Sequence, residues 1–165
     1  MPSIAQIGLR SAQFITVLIS LALIAAAIDI QRFGNNSVNY AMFTAVISMI
    51  VVLYGLAAAF VESLAHPFIL MIMDSAALVF NLLAGIILAG YLHVHSCSNR
   101  GYVNSNQLTQ GSTSRCRELQ AATAFFWFSF ALFTASIAAD FMNKGSSTSM
   151  RRRSAARTGP TMTQV

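Results

Sequence analysis

The sequence predicts an all-α polytopic membrane protein, a bundle of four antiparallel transmembrane helices. Three observations carry that expectation. Of the 165 residues, 56% are hydrophobic and 9% charged, whereas a soluble domain runs near a quarter charged. The mean hydropathy of +0.63 is more than a globule this small can hide from water. The apolar residues also fall into long blocks, each near the roughly 20 residues that cross a hydrocarbon core of about 30 Å as a helix. None alternates with the period of two that a membrane barrel strand requires. Lipid is the expected solvent.

The first block, at about 11–29, lies between Arg10 and Asp29 with no charge in between. Its Ala25-Ala26-Ala27 resembles a cleavage site, but the uncharged stretch exceeds the usual signal-peptide core of 7–15 residues, so an uncleaved first helix is expected. The second block, 38–61, is stopped by Glu62. The third, 67–92, opens on Pro67, which suits a first helical turn, and contains one acid, Asp74. The fourth, 119–141, is bracketed by Glu118 and Asp140. Short connections between the first three make antiparallel neighbours. The third connection, 93–118, is polar and long. Residues 1–143 thus form one transmembrane domain. A basic Ser/Thr-rich tail, 144–165, follows and is expected to be disordered unless membrane or a partner orders it.

An even number of spans places both termini on one side. That side carries Arg10, Lys144, Arg151, Arg152, Arg153 and Arg157, against Arg32, Arg100, Arg115 and Arg117 opposite. The positive-inside rule therefore puts the termini in the cytoplasm. Both cysteines, Cys97 and Cys116, fall in the third connection, as an oxidising compartment allows. A bond between them would stabilise the chain by roughly 3 kcal/mol; two unrelated thiols are the alternative. Asn35-Asn36-Ser37 is then a glycosylation sequon on the outside, too near the bilayer to be expected in use. The arginine run of the tail has no aromatic platform, so anionic inner-leaflet lipid is its expected partner and nucleic acid is not. Ser154, after Arg152-Arg153, fits a basic-directed kinase site. The terminal Thr163-Gln164-Val165 has the form of peptides captured by sheet-edge grooves.

Asp74 is the most informative residue, a carboxylate about 10 Å into a span, where insertion costs about 2.5–3.5 kcal/mol. Asn81 and Gly85 lie on the same face, which must meet protein rather than lipid. Interhelical hydrogen bonding is the favoured role, because the sequence shows no second acid or membrane-buried base to complete a relay. A proton or cation site is the alternative. His93-Val94-His95-Ser96-Cys97 has metal-like spacing, but residues two apart converge only in extended structure, and no metal, cofactor or catalytic constellation is expected. Small residues recur four apart (Ala22 and Ala26, Gly55 and Ala59, Gly85 and Ala89) and permit close helix packing in the bundle or in a homo-oligomer.

The stretches His95-Ser96-Cys97, Tyr102-Val103-Asn104-Ser105-Asn106, Thr109-Gln110-Gly111-Ser112, Arg115-Cys116-Arg117 and Gln120-Ala121-Ala122 closely resemble the fungal non-classical export protein 2 family, four-span proteins of the MARVEL-domain class. Val38-Asn39-Tyr40-Ala41-Met42-Phe43, Tyr54-Gly55, Asp74 and Thr163-Gln164-Val165 also match. The resemblance implies a non-enzymatic plasma-membrane protein of eisosome-associated microdomains. It further implies a response to sphingolipids, a link to unconventional secretion, and cytoplasmic eisosome coat proteins as partners. The chain departs from the family at Met49 to Leu53, apolar where an acidic residue is expected. That departure leaves Asp74 more isolated. A small oligomeric transporter with Asp74 and Asn81 lining its path is the alternative function, in which Asp74→Asn would abolish flux; in the organiser reading that substitution leaves clustering intact.

Overall fold

The computed structural model describes residues 4–61, 64, 66–93 and 95–157, with side chains described between 6 and 142. Thr163, Gln164 and Val165 lie outside the described residues, as do the side chains of Arg151, Arg152, Arg153, Ser154 and Arg157. The elements are α1 (Ile4–Asp29), α2 (Asn36–Phe60), α3 (Pro67–Leu92), α4 (Arg100–Ser105) and α5 (Thr113–Arg157). No strand occurs among the described residues. Helices α1, α2, α3 and α5 are each long and apolar enough to span a membrane.

The helix boundaries follow local chemistry. Asn35 caps α2, its carboxamide oxygen accepting from the Ser37 amide at 2.9 Å. That cap occupies the carboxamide of the glycosylation sequon. Pro67 opens α3, where no intrahelical N–H is needed. His93 ends α3 in the left-handed region, φ 47°, with its N–H on the Ala89 carbonyl. Ser112 caps α5, its hydroxyl accepting from the Arg115 amide at 3.3 Å.

Three boundaries differ clearly from the sequence expectation, and charge is the reason in the first two. The first helix begins at Ile4, not near residue 11, and α5 begins at Thr113, not at 119. Arg10 and Glu118 read as the ends of spans, because a charge in hydrocarbon is costly. Both lie inside helices instead, and Arg10 and Arg115 are buried there. At its far end α5 continues to Arg157, beyond the 141 at which the apolar block stops. Its 45 residues reach well past a bilayer's thickness at 1.5 Å per residue.

Helices α1, α2, α3 and α5 form a closed ring in which α1 packs on α2 and α5, and α3 on the same two. Consequently α1 and α3 face each other across one diagonal, α2 and α5 across the other. Small and polar residues point inward. On α2 the buried face is Val38, Ala41, Thr44, Ala45, Ser48, Val51, Val52, Gly55 and Ala58; on α3 it includes Asp74, Ala77, Asn81, Ala84 and Gly85. Large apolar residues such as Ile50, Leu53, Ile72 and Ile86 are exposed. Lipid removes any penalty for exposing them, so close approach of small residues decides the interface.

Candidate functional site: a buried ion pair at the crossing of four helices

Asp74 is not isolated. Arg10 reaches across the diagonal from α1 and clasps it with two parallel bonds, Nη1 to Oδ1 and Nη2 to Oδ2, each 2.7 Å. Ser136 of α5 donates to Oδ2 at 3.0 Å. The Arg10 Nη1 also donates to Gln13 Oε1 at 3.1 Å, and Gln13 Nε2 donates to the Leu132 carbonyl at 3.3 Å. Asp74 and Gln13 are fully buried, and Arg10 is only 8% exposed.

The fourth helix contributes an absence. A Cβ built on Gly55 of α2 would stand 3.0 Å from Cζ and Nε of Arg10. The glycine lets the guanidinium lie close against the α2 backbone, and a side chain there would press on it. One residue from each of the four spanning helices therefore meets at this point. A bidentate arginine–carboxylate pair is among the strongest polar contacts available, and removing one member of such a buried pair costs about 3–5 kcal/mol. The expectation that no buried base stands near Asp74 is overturned.

Further polar layers lie nearer the middle of the bundle. Ser129 donates to Thr16 at 3.3 Å, joining α5 to α1, and Asn81 donates to Ser48 at 2.7 Å, joining α3 to α2. Asn81 therefore lies on the Asp74 face as the spacing predicts, in a separate hydrogen-bonded layer. The Trp127 ring covers Gly85, where a Cβ would come within 3.2 Å.

At the opposite end Cys97 and Cys116 form a disulfide, Cα to Cα 5.8 Å. Here too an arginine is buried. Arg115 donates from Nε to the Leu108 carbonyl at 2.6 Å, from Nη1 to the Ala27 carbonyl and from Nη2 to Gln31 at 3.4 Å. Gln110 bonds the backbone of Arg32 and Phe33 at 2.7 and 2.8 Å. The third connection is thus a folded lid, sewn to the α1–α2 turn by one arginine and one glutamine. Tyr102 donates to the Leu92 carbonyl, and partial burial pushes its phenol above its ordinary value. His93 is a helix cap. His95 packs edge-on against Tyr102 at 5.0 Å, and Cys97 is bonded to Cys116, so the metal-like spacing is not assembled.

Arg10, Gln13, Ser136, Arg115 and Gln110 are the residues that sequence reasoning did not single out. Gln13 offered a signal: a carboxamide inside an apolar block, one turn from an arginine, must face a partner.

The membrane-associating domain model of the MARVEL family matches residues 3–139. The chain belongs to that family. Within it, the chain is 39% identical over 95% of both chains to non-classical export protein 2 of Saccharomyces cerevisiae. It is 39% identical to non-classical export protein 102 of Candida albicans over the full length of both. It is 35% identical to the non-classical export protein 2 homolog of Schizosaccharomyces pombe, over 77% of this chain and 71% of that one. No solved structure matches.

Proposed function

We propose that the protein is a non-enzymatic organiser of lateral microdomains in the plasma membrane, associated with eisosomes and responsive to sphingolipids. Both termini face the cytoplasm in this reading. The disulfide supports an outward-facing lid. The arginines support the same orientation: with Arg10 and Arg115 both buried and discounted, the majority still lies with the tail. The names of the relatives, non-classical export proteins, support a part in unconventional export. Anionic inner-leaflet lipids and cytoplasmic coat proteins are the partners proposed for the tail, and self-association uses the exposed helix faces.

The observation that carries the reading is the commitment of Asp74. Both carboxylate oxygens are taken, by Arg10 and Ser136, so the central polar chemistry holds four helices in one arrangement. That suits a membrane-embedded shape which lipids sort. A path lined by Asp74 and Asn81 would need the carboxylate that Arg10 occupies.

The test is the lateral distribution of the tagged full chain in a fungal plasma membrane, before and after sphingolipid synthesis is blocked. The expected result is a patchy pattern that disperses on depletion. A uniform distribution under both conditions overturns the proposal, and so does substrate flux in proteoliposomes above that of empty vesicles.

A further inference from the structure

One cleft lies outside the polar layers described so far. It opens at the disulfide end of α3, has a volume of about 410 Å³, and is walled by Tyr91, His93, His95, Tyr102, Asn106 and Gln107. Buried Leu108 contributes to its lining. Tyr91 belongs to the last turn of a spanning helix and is 52% exposed, and His93 caps that helix. The mouth therefore sits where hydrocarbon gives way to headgroups, the level at which tyrosines are enriched.

Among the described residues the lining holds no carboxylate, lysine or arginine. It presents aromatic faces beside carboxamide, imidazole and hydroxyl groups, a combination that pairs the C–H face of a ring with hydrogen bonds to its hydroxyls. The walls are fixed in advance. Asn106 donates to the Tyr91 carbonyl at 2.8 Å, Tyr102 to the Leu92 carbonyl, and Gln120 to the His95 carbonyl at 2.7 Å. The Cys97–Cys116 bond ties the same segment to α5. Preorganisation of this kind lowers the ordering cost of binding. The volume is near the low end of small-molecule sites, enough for one sugar-sized ring and too small for a whole lipid. Elsewhere on α3, Val79, Leu83 and Ile86 are exposed at helical spacing and give acyl chains an apolar helix face in the same leaflet and beyond.

We propose that this cleft binds the polyhydroxylated ring of a lipid headgroup, a sugar or cyclitol, in the leaflet on the disulfide side, with the acyl chains lying along α3. The inference deepens the proposed response to lipid and rests on that reading only for the name of the leaflet.

The test is native mass spectrometry of the full chain with glucosylceramide and phosphatidylcholine at equal mole fraction. Glucosylceramide is expected to be retained in preference. That preference is expected to fall about five-fold, the worth of one hydrogen bond, in Gln107→Ala and in His95→Ala, and to be unchanged in Ile50→Ala on the exposed face of α2. Equal retention of the two lipids overturns the proposal, as does a preference unchanged in both cleft variants. Displacement by free methyl glucoside as complete as that by excess glucosylceramide overturns the lipid source. A patchy distribution that disperses on sphingolipid depletion, without preferential retention here, would sink the cleft and leave the organiser reading standing.

Discussion

The two ends of the bundle bury an arginine each, and they satisfy it in different ways. Arg10 meets a carboxylate 64 residues away, so charge is matched by charge and four helices are drawn to one point. Arg115 meets the carbonyls of Ala27 and Leu108 and the amide oxygen of Gln31. There a cation finishes a helix end and staples a loop, and a disulfide does the rest of the holding. The difference follows from depth. In the span, no water and few free carbonyls are available, so a cation needs its own anion. At the end of α1, carbonyls left unpaired by the helix are in surplus and carry the negative end of its dipole.

The comparison can be broken first at Asp74. Asp74→Ala leaves Arg10 buried without a counter-charge, and we expect a loss of about 3–5 kcal/mol in unfolding stability in detergent. Arg10→Met combined with Asp74→Leu should lose much less than either single change, since a packed apolar pair can replace a buried ion pair. A double variant as unstable as Asp74→Ala would show that the pair is not the unit. Asp74→Asn, expected from sequence alone to leave clustering intact, should now lower the folded amount of protein. At the other end, Cys97→Ser is expected to cost about 3 kcal/mol. Its increased hydrogen exchange should be concentrated in 97–112, with α2 and α3 unchanged. Exchange rising throughout the bundle would contradict a lid that is held separately.

A finer cut compares two glycines. Gly55→Ala forces a methyl group to within 3.0 Å of the Arg10 guanidinium and should cost about 1–3 kcal/mol by overpacking. Gly8→Ala meets nothing within 4 Å and should be neutral or gain up to about 1 kcal/mol in helix propensity. The smallest loss of stability expected is at Tyr102, whose protonated phenol donates to the Leu92 carbonyl. Its folded value is raised, so its contribution is present below the ordinary phenol value of about 10 and is lost as pH rises through the folded one. Tyr102→Phe should cost about 1 kcal/mol and flatten the stability profile in that alkaline window, measured by thermal unfolding.

Much of the candidate site was legible one helix at a time. The face shared by Asp74, Asn81 and Gly85 follows from a period of 3.6 residues, and the pairing of Cys97 with Cys116 from their confinement to one polar connection. The partners were not legible. Arg10 carries the same signature as any span-flanking arginine, and nothing local distinguishes a charge that marks a boundary from one that is drawn inside. Ser136 is one of several hydroxyls on α5 that could bond its own helix, as Thr134 does to the Phe130 carbonyl. Gly55 could be noted only as a small residue suited to close packing; the cation it admits comes from α1.

The sequence by itself determined that four helices cross a bilayer, because hydrocarbon forces every backbone polar group into an internal bond and sets the length of each apolar block. It also determined which residues of each helix share a face. The tertiary structure alone decided which charge answers which. Arg10 and Asp74 belong to helices that face each other across the diagonal of the ring, and only the closing of that ring by α2 and α5 brings the guanidinium, the carboxylate, the glycine beneath and the serine beside them within reach.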